Sequence, residues 1–367
     1  MNNSTTGLER YLVSTAKKNI KSILNVSLFD PVQNSYMIKF AAGAEKAFAR
    51  RKKHEAAGLH VPTFLIASIT GMCNLHCAGC YARSLESCSD GEQSGALTAE
   101  KWDRLFSEAS ELGIVFTVLA GGEPLVRRDV IEAAAGHENM LFAVFTNGTM
   151  AGGEYAELFA AHRNIVPVFS IEGEKELTDG RRGSGVYEKV MSAMDTLKEK
   201  KLMFGASVTV TSENIGYVTS DGFVSELMKK GCRAVIYVEY VPTAQSQGMT
   251  AVNEEQREQL ARRVSELRAA HNDMFVISFP GDEKESGGCL AAGRGFIHIN
   301  SRGGAEPCPF SPYSDINAAD TSLAEALDSP LMRALRSGDM LTGEHDGGCV
   351  LFSKRSEVER LLLTLSS

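Results

Sequence analysis

Short apolar runs alternate with longer amphipathic segments through the middle of the chain. The segments between the runs predict helices at 98–112, 127–136, 153–162, 185–200, near 217–230 and 253–271, and the runs themselves predict buried strands at 63–69, 115–120, 141–145, 165–169, 204–210 and 234–238. This alternation is typical of a parallel sheet with right-handed crossovers. Six such units predict an α/β fold, a partial (β/α)6 barrel that is two units short of the full eight.

The two ends of the chain have different patterns. A loose apolar stripe from Leu8 to Phe29 predicts a helix that breaks at Asp30-Pro31, and a second helix is predicted from Met37 to His54. Beyond residue 275 glycine is frequent, and we predict a hairpin over 295–304 and helices over 321–337 and 354–365. The sequence therefore predicts three units, a helical segment at 1–60, a barrel at 61–273 and a smaller domain at 274–367.

Composition and charge place the chain among ordinary globular proteins. Its 367 residues are 43% hydrophobic and 23% charged, without the long apolar run of a transmembrane helix or the pattern of a signal peptide. Net charge is −8, although residues 1–57 carry ten of the 38 basic and four of the 46 acidic residues. We expect this basic segment to pack as helix on the acidic remainder and no nucleic acid to bind, because stacking aromatic residues are not apparent.

Three of the eight cysteines follow the first predicted strand directly. Cys73, Cys77 and Cys80 have the spacing C-x3-C-x2-C, which allows three thiolates to hold three corners of a four-iron cluster and leaves one iron open. A structural zinc site requires four ligands, and here only His76 or Cys88 could supply the fourth. Three buried core cysteines are a further interpretation, which the glycine and asparagine of the loop disfavour. Clustered cysteines of this kind indicate metal ligation in a reducing cytoplasm.

Polar and glycine residues follow the other predicted strands, at the end where a parallel barrel places its active site. The segments are Gly121-Gly-Glu-Pro124, Thr146-Asn-Gly148, Ser170-Ile-Glu-Gly173, Thr211-Ser-Glu-Asn214 and Glu239-Tyr-Val-Pro-Thr243. In the first of them, two glycines allow the backbone to approach a ligand closely. Its carbonyls can accept hydrogen bonds from an ammonium group, whose charge Glu123 can support.

The cysteine spacing resembles the signature of the radical S-adenosylmethionine (SAM) enzymes, and residues 121–124 resemble their GGEP motif. The resemblance implies that SAM occupies the open iron and is reductively cleaved to a 5′-deoxyadenosyl radical, with Cys73, Cys77 and Cys80 as the catalytic cluster ligands. It further implies cofactor contacts from Tyr81, Gly121, Gly122, Glu123, Pro124, Asn147, Ser170 and Glu172. Strand-end capping remains an equal alternative for Glu172. The loop Asp179-Gly-Arg-Arg-Gly183, before the fourth barrel helix at 185–200, is also typical of the family. It could form an ion pair and nothing more, or Arg181 or Arg182 could lie near SAM or an anionic substrate. Gly79 departs from the family, which usually has an aromatic residue there, near the adenine.

A second cysteine set lies near the end of the chain. Cys289, Gly303 and Cys308 form the pattern C-x13-G-x4-C, and Cys349 follows. This pattern resembles the hairpin of SPASM and twitch domains, which implies an auxiliary [4Fe-4S] cluster with Cys289, Cys308 and Cys349 as ligands. The fourth position is open to substrate or filled by His345 or Asp346.

The remaining thiols have separate interpretations. We predict that Cys232 is a small buried residue before the sixth strand. Cys88, in a loop of serine, aspartate and glycine, is expected to be exposed, or else to take part in the second cluster.

These features together predict a radical SAM enzyme of oxidoreductase type. It would abstract a substrate hydrogen, with the auxiliary cluster assisting oxidation or substrate binding, in the maturation of a peptide or the synthesis of a cofactor or other small molecule. A flavodoxin or ferredoxin would supply the electron. The alternatives are an iron–sulfur redox or sensor protein that binds SAM without turnover and a zinc-binding scaffold.

Overall fold

The computed structural model describes residues 27–91, 93–243, 248–342 and 349–365. Its centre is one nine-stranded sheet in the order β7-β6-β5-β4-β3-β2-β1-β8-β9. All neighbours are parallel except β8 and β9. The strands are β1 Phe64–Thr70, β2 Phe116–Gly121, β3 Leu141–Thr146, β4 Ile165–Ser170, β5 Gly205–Val210, β6 Ala234–Glu239, β7 Phe275–Phe279, β8 Phe296–Ile299 and β9 Ala305–Glu306.

Helices follow most of the strands. They are α1 Pro31–Ala56, α2 Tyr81–Ser84, α3 Ala99–Leu112, α4 Arg128–Ala135, α5 Glu154–Ala161, α6 Lys175–Arg182, α7 Val186–Glu199, α8 Ile215–Val218, α9 Asp221–Lys229, α10 Glu254–Ala270, α11 Leu323–Leu327, α12 Pro330–Ser337, α13 Val350–Ser353 and α14 Arg355–Leu365. The six predicted β/α units are confirmed within a few residues, and the result is an open, partial barrel. In the described part of the chain, no helix is long and apolar enough to span a membrane.

One parallel strand, β7, and the parallel pairing of β8 were not predicted. β7 extends the sheet beyond β6, while β8 pairs with β1 on the other side, with Phe296 beside Phe64 and His298 beside Ile66. The predicted hairpin is confirmed, because β9 returns antiparallel to β8. The division of the chain at residues 60 and 273 stays a prediction, and β7 and β8 lie in the same sheet as the barrel strands.

Helix α1 covers the end of the barrel from which the strands start. Asp30 caps the helix by accepting hydrogen bonds from the amides of Val32 and Gln33, and Pro31 occupies the first turn, where its missing N–H costs nothing. Met37 and Phe40 pack in one apolar cluster that also includes Val115, Leu141 and Val166. The predicted helix before it, from Leu8 to Phe29, lies almost entirely outside the described residues.

Hydrogen bonds attach α1 to the loops that precede β2 and β3. The Tyr36 hydroxyl donates to the Met140 carbonyl at 2.8 Å, and the Arg51 guanidinium donates to the Gly113 carbonyl. Most of the basic run 50–53 is exposed, in agreement with a solvated face. α1 therefore closes one end of the barrel and leaves the other end for chemistry.

The inner face of the sheet changes from aromatic to polar along the strands. Register places Phe64, Ile66 and Ser68 of β1 on one face, beside alternate residues of β2 and β8. The ring of Phe64 stacks on that of Phe296, with centroids 5.1 Å apart, and Phe116 and Phe279 complete this aromatic group. Ser68 lies above the group, toward the carboxyl end of β1.

Two local predictions require correction. The predicted helix 321–337 is two helices, because Ser329 caps a new helix that begins at Pro330. The segment Asp179-Gly-Arg-Arg182 is the end of helix α6 rather than a loop before the fourth barrel helix. The last predicted helix is confirmed as α14.

Candidate functional site

The cysteine loop leaves β1 at the carboxyl end of the barrel, as predicted. Cys73, Cys77 and Cys80 are all half-buried and free of disulfides. Arg83 holds the loop by donating to the carbonyls of Leu75 at 2.8 Å and Cys73 at 3.3 Å. The shape of the loop is thus set by main-chain contacts that leave the three thiols available as ligands.

The GGEP segment is bonded directly to the start of the cysteine loop. The amide of Gly122 donates to the Thr70 carbonyl and that of Glu123 to the Met72 carbonyl, both at 2.8 Å. A Cβ atom on Gly121 or Gly122 would lie 2.2 Å from one of these carbonyl oxygens. Glycine is therefore required here because the cysteine-loop backbone comes so close, a constraint that exists before any ligand is considered.

The Glu123 side chain links two segments at the carboxyl end of the barrel, which we call the rim. Its carboxylate is 1% exposed and accepts hydrogen bonds from Thr146 Oγ1 at 2.7 Å, Asn147 N at 2.7 Å and Leu125 N at 3.0 Å. Burial raises the pKa of Glu123 to about 7, against the opposing effect of these donors. The carboxylate thus fixes the GGEP turn against the end of β3. The turn continues into a 3-10 turn at the buried Pro124.

The end of β3 is also bonded to the cysteine loop. The Nδ2 atom of Asn147 donates to Asn74 Oδ1 at 2.8 Å, and Asn74 Nδ2 donates to Thr149 Oγ1 at 2.9 Å. Asn74 lies between Cys73 and Cys77. Ser170, at the end of β4, is half-exposed and is paired in register with Ser207 of β5.

Glu172 forms a buried ion pair with two arginines of α6. Its carboxylate, 3% exposed, accepts from Arg181 Nη1 at 2.5 Å and from Nε and Nη2 of Arg182, both at 2.6 Å. Burial alone would raise the pKa of Glu172, but the two guanidinium charges outweigh it and hold the pKa below its usual range. The sequence offered a loop ion pair as one interpretation of the two arginines, but their pairing with Glu172 was not predicted.

The same two arginines contact the cysteine loop. The Ala78 amide donates to the Arg181 carbonyl at 2.8 Å, and Arg182 Nη1 lies 3.9 Å from Cys77 Sγ. Burial raises the pKa of the Cys77 thiol, and the Arg182 charge opposes this effect. A fixed positive charge next to Cys77 favours its thiolate, the form that ligates iron.

Gly79 faces an aromatic residue that follows another strand. A Cβ atom on Gly79 would lie 2.7 Å from the Tyr240 hydroxyl and 2.8 Å from Tyr240 Cε2. Tyr240, just after β6, is buried, and in the described part of the chain its hydroxyl has no hydrogen-bond partner. The ring of Tyr81 instead packs on Phe310, with centroids 4.6 Å apart, so that it points toward the C-terminal hairpin.

Two of the three C-terminal cysteines contact each other. Cys308 and Cys349 share a side-chain hydrogen bond, and the buried Cys289 is close enough to Cys349 and Cys308 for their charges to interact. The sequence did not single out Glu283, a buried residue whose side chain hydrogen-bonds with Cys289. His345 and Asp346 lie outside the described residues.

Cys88 is not the exposed thiol that the sequence predicts. It is buried, and its side chain hydrogen-bonds with Cys73, which lowers the pKa of Cys73 and raises that of Cys88. The reason is that the backbone at Ser89 folds back, donating to the Gly71 carbonyl and accepting from the Cys73 amide. Cys232 is fully buried before β6, as predicted.

A site for a single metal ion is a different question from an iron–sulfur cluster that several thiols hold. Across the described segments of the chain, no three histidine, cysteine, aspartate or glutamate side chains lie close enough together to hold one metal ion.

Comparisons with known proteins agree with this fold. Residues 67–218 match the sequence model of the Radical SAM superfamily. The AdoMet-dependent heme synthase of Methanosarcina barkeri is 27% identical over 314 residues, which cover 78% of this chain and 88% of the relative. The mycofactocin maturase MftC of Mycobacterium ulcerans is 26% identical over 333 residues, 80% of this chain and 84% of the relative.

A solved structure shares the fold. Streptococcus suis SuiB bound to S-adenosylmethionine superimposes with a TM-score of 0.66 at 17% identity, over 78% of this chain and 70% of that chain. Residues 67–218 are therefore similar to the Radical SAM superfamily domain, and the chain has the partial-barrel fold of its structural neighbours. Members of this superfamily are enzymes, and the relatives above are named as a synthase and a maturase.

Proposed function

We propose that this protein is a radical SAM enzyme in which Cys73, Cys77 and Cys80 hold a [4Fe-4S] cluster. The observation that carries the proposal is the cysteine loop bonded to the GGEP segment at the carboxyl end of the barrel. The donor set suits the cluster, because three thiols on one loop can ligate three irons and Arg182 adds a positive charge beside Cys77. With SAM on its open iron, such a cluster supplies a 5′-deoxyadenosyl radical that abstracts a hydrogen atom from the substrate.

The residues of the rim divide into those that shape the SAM site and those that contact SAM. Glu123 and Glu172 hold the loops together through buried hydrogen bonds, and the amides of Gly122 and Glu123 bond to the backbone of the cysteine loop. Asn147, Ser170 and Tyr81 remain proposed SAM contacts. Tyr240 joins them, because its buried hydroxyl lacks a partner and its ring faces Gly79, where relatives usually have their aromatic residue.

We further propose an auxiliary [4Fe-4S] cluster on Cys289, Cys308 and Cys349. Glu283 is our candidate for the fourth ligand, because its buried carboxylate already contacts Cys289 and carboxylates are known metal ligands. Iron and sulfide analysis tests this cluster: we expect about eight irons per chain in the wild type and about four in a Cys289→Ala/Cys308→Ala/Cys349→Ala variant, since each such cluster contains four irons. Equal iron contents would contradict it.

The substrate class is suggested by the relatives. SuiB has also been solved bound to the precursor peptide SuiA, and MftC is named as a maturase, so we propose a peptide, with a heme or other cofactor precursor as the second choice. A flavodoxin or ferredoxin is the proposed reductant. The eight free thiols are consistent with a reducing compartment such as the cytoplasm.

SAM cleavage tests the proposal. Anaerobically reconstituted protein, given SAM and dithionite, should form 5′-deoxyadenosine, and a Cys77→Ala variant should form none. A Cys232→Ala variant is the matched control, because Cys232 is buried before β6, away from the rim. Binding of SAM without cleavage by the wild type would instead support the redox or sensor protein, and a colourless protein that holds zinc would support the scaffold.

A further inference from the structure

A serine, a histidine and a glutamate form a hydrogen-bonded chain on the inner face of the barrel. Ser68 Oγ lies 2.7 Å from His298 Nε2, and His298 Nδ1 lies 2.8 Å from Glu306 Oε2. His298 and Glu306 are 4% and 6% exposed, whereas Ser68 is half-exposed. The three residues come from β1, β8 and β9, so that sheet pairing brings them together.

One assignment of protons fits both contacts of a neutral His298. With Glu306 Oε2 as the acceptor, His298 Nδ1 carries the proton that it donates to Glu306. In a neutral imidazole the other nitrogen is then an acceptor, and the Ser68 hydroxyl donates to it. Asn300 Nδ2 donates to the second oxygen of Glu306 at 2.5 Å, and this fixes the carboxylate in its position. The order hydroxyl, imidazole, carboxylate is the arrangement that activates serine in other enzymes.

We infer that Ser68, His298 and Glu306 form an acid–base site of the barrel, which accepts a proton from a substrate group such as a carboxylic acid, alcohol or amide N–H. The substrate proton passes to Ser68 Oγ while the Ser68 proton passes to His298 Nε2. The resulting imidazolium is paired with the Glu306 carboxylate. No electron is transferred in this step, and protonation of the departing product returns the site to its starting state.

The location of Ser68 suits a bound substrate. The aromatic group around Phe64 and Phe296 lies on the side toward the covered end of the barrel, and Thr70, two residues further along β1, begins the bonded contact with the GGEP segment. Ser68 therefore faces the interior between the aromatic group and the cysteine loop. The inference rests on the proposed function only in taking this interior as the substrate site.

An alkyl fluorophosphonate tests the site without knowledge of the substrate. Attack by Ser68 Oγ forms an oxygen–phosphorus bond, releases fluoride and passes the serine proton to His298. Intact-mass and peptide mass spectrometry of the reconstituted full chain should show one adduct on Ser68. The adduct should be absent in Ser68→Ala and unchanged in Ser207→Ala, which removes another serine of the inner face.

Chemical rescue with imidazole tests the role of His298 as the base. Labelling of His298→Ala should be slower by about 100-fold or more, the usual contribution of a general base, and added imidazole should restore it in part. Glu306→Gln keeps the shape of the side chain and should also slow labelling. A purely structural role for His298 predicts no rescue by imidazole.

The result that overturns the inference is a wild type that is not labelled at Ser68, or one whose labelling is independent of His298. Formation of 5′-deoxyadenosine is measured on the same samples. Because that assay depends on the cysteine loop and not on Ser68, failure of the acid–base site and failure of the proposed function are distinguishable.

Discussion

Replacement of Glu172 by glutamine tests how the rim is held together. The change keeps the size of the side chain but removes the negative charge that two buried guanidinium groups face at 2.5 and 2.6 Å. Removal of one partner from a buried ion pair costs about 3–5 kcal/mol, since the other charge stays buried and unpaired. At about 2 °C per kcal/mol, the low end expected for large domains, the melting temperature should fall by roughly 6–10 °C.

The assay is thermal unfolding at neutral pH, with Glu157→Gln as the control. Glu157 pairs with Lys200 at 2.7 Å, but its side chain is 70% exposed, so its loss should cost less than about 1 kcal/mol. The pH dependence gives a second check. Because the pKa of Glu172 is held below its usual range, the stability that it contributes is present above the ordinary carboxyl range and is lost as pH falls through the lowered pKa. The difference between wild type and Glu172→Gln should therefore shrink in acid. Equal melting temperatures for Glu172→Gln and Glu157→Gln would refute the reasoning.

Three further predictions concern other contacts of the barrel. Gly122→Ala should lower the iron bound after reconstitution, because a Cβ atom there would lie 2.2 Å from the cysteine-loop backbone. Gly91→Ala should not, because a Cβ atom there has no neighbour within 4 Å. Equal iron contents in the two variants would contradict this prediction. Glu123 has a folded-state pKa of about 7 against an ordinary 4.5, so the wild type should lose up to about 3 kcal/mol of stability as pH rises through this window. In denaturant titrations at different pH values, Glu123→Gln should lack this loss of stability. Tyr36→Phe removes a hydrogen bond of α1 and should cost about 1 kcal/mol without changing SAM cleavage; a loss of cleavage would show that α1 affects the opposite end of the barrel.

Periodicity predicted the barrel well, because each buried strand is a local apolar run. It failed where pairing depends on distant segments. The sequence of β8 predicts a hairpin strand, but its parallel pairing with β1 joins residues more than 230 positions apart. β7 was missed because residues 275–279 follow the last predicted helix and precede a glycine-rich stretch, although their apolar run is a signal that could have been used.

The sequence predicted where the site residues lie in the barrel, but it did not predict which of them contact each other. Strand ends identified the rim, since carboxyl ends of parallel strands meet at one edge. The bonds of Glu123 to β3 and of Glu172 to α6 could not be read from spacing, because they depend on how separate loops pack. Cys88 was misplaced for the same reason, and Ser68 and His298 were missed because each lies inside a strand, where a lone polar residue carries no motif.

The most direct measurement of the central claim is electron paramagnetic resonance of the reduced cluster with and without SAM. A Cys289→Ala/Cys308→Ala/Cys349→Ala variant isolates the cluster proposed on Cys73, Cys77 and Cys80. We predict a [4Fe-4S]⁺ signal that changes when SAM is added, because SAM binds the open iron, and that disappears when Cys77→Ala is added to the variant. A signal that SAM leaves unchanged, or one that survives the loss of Cys77, would contradict the account.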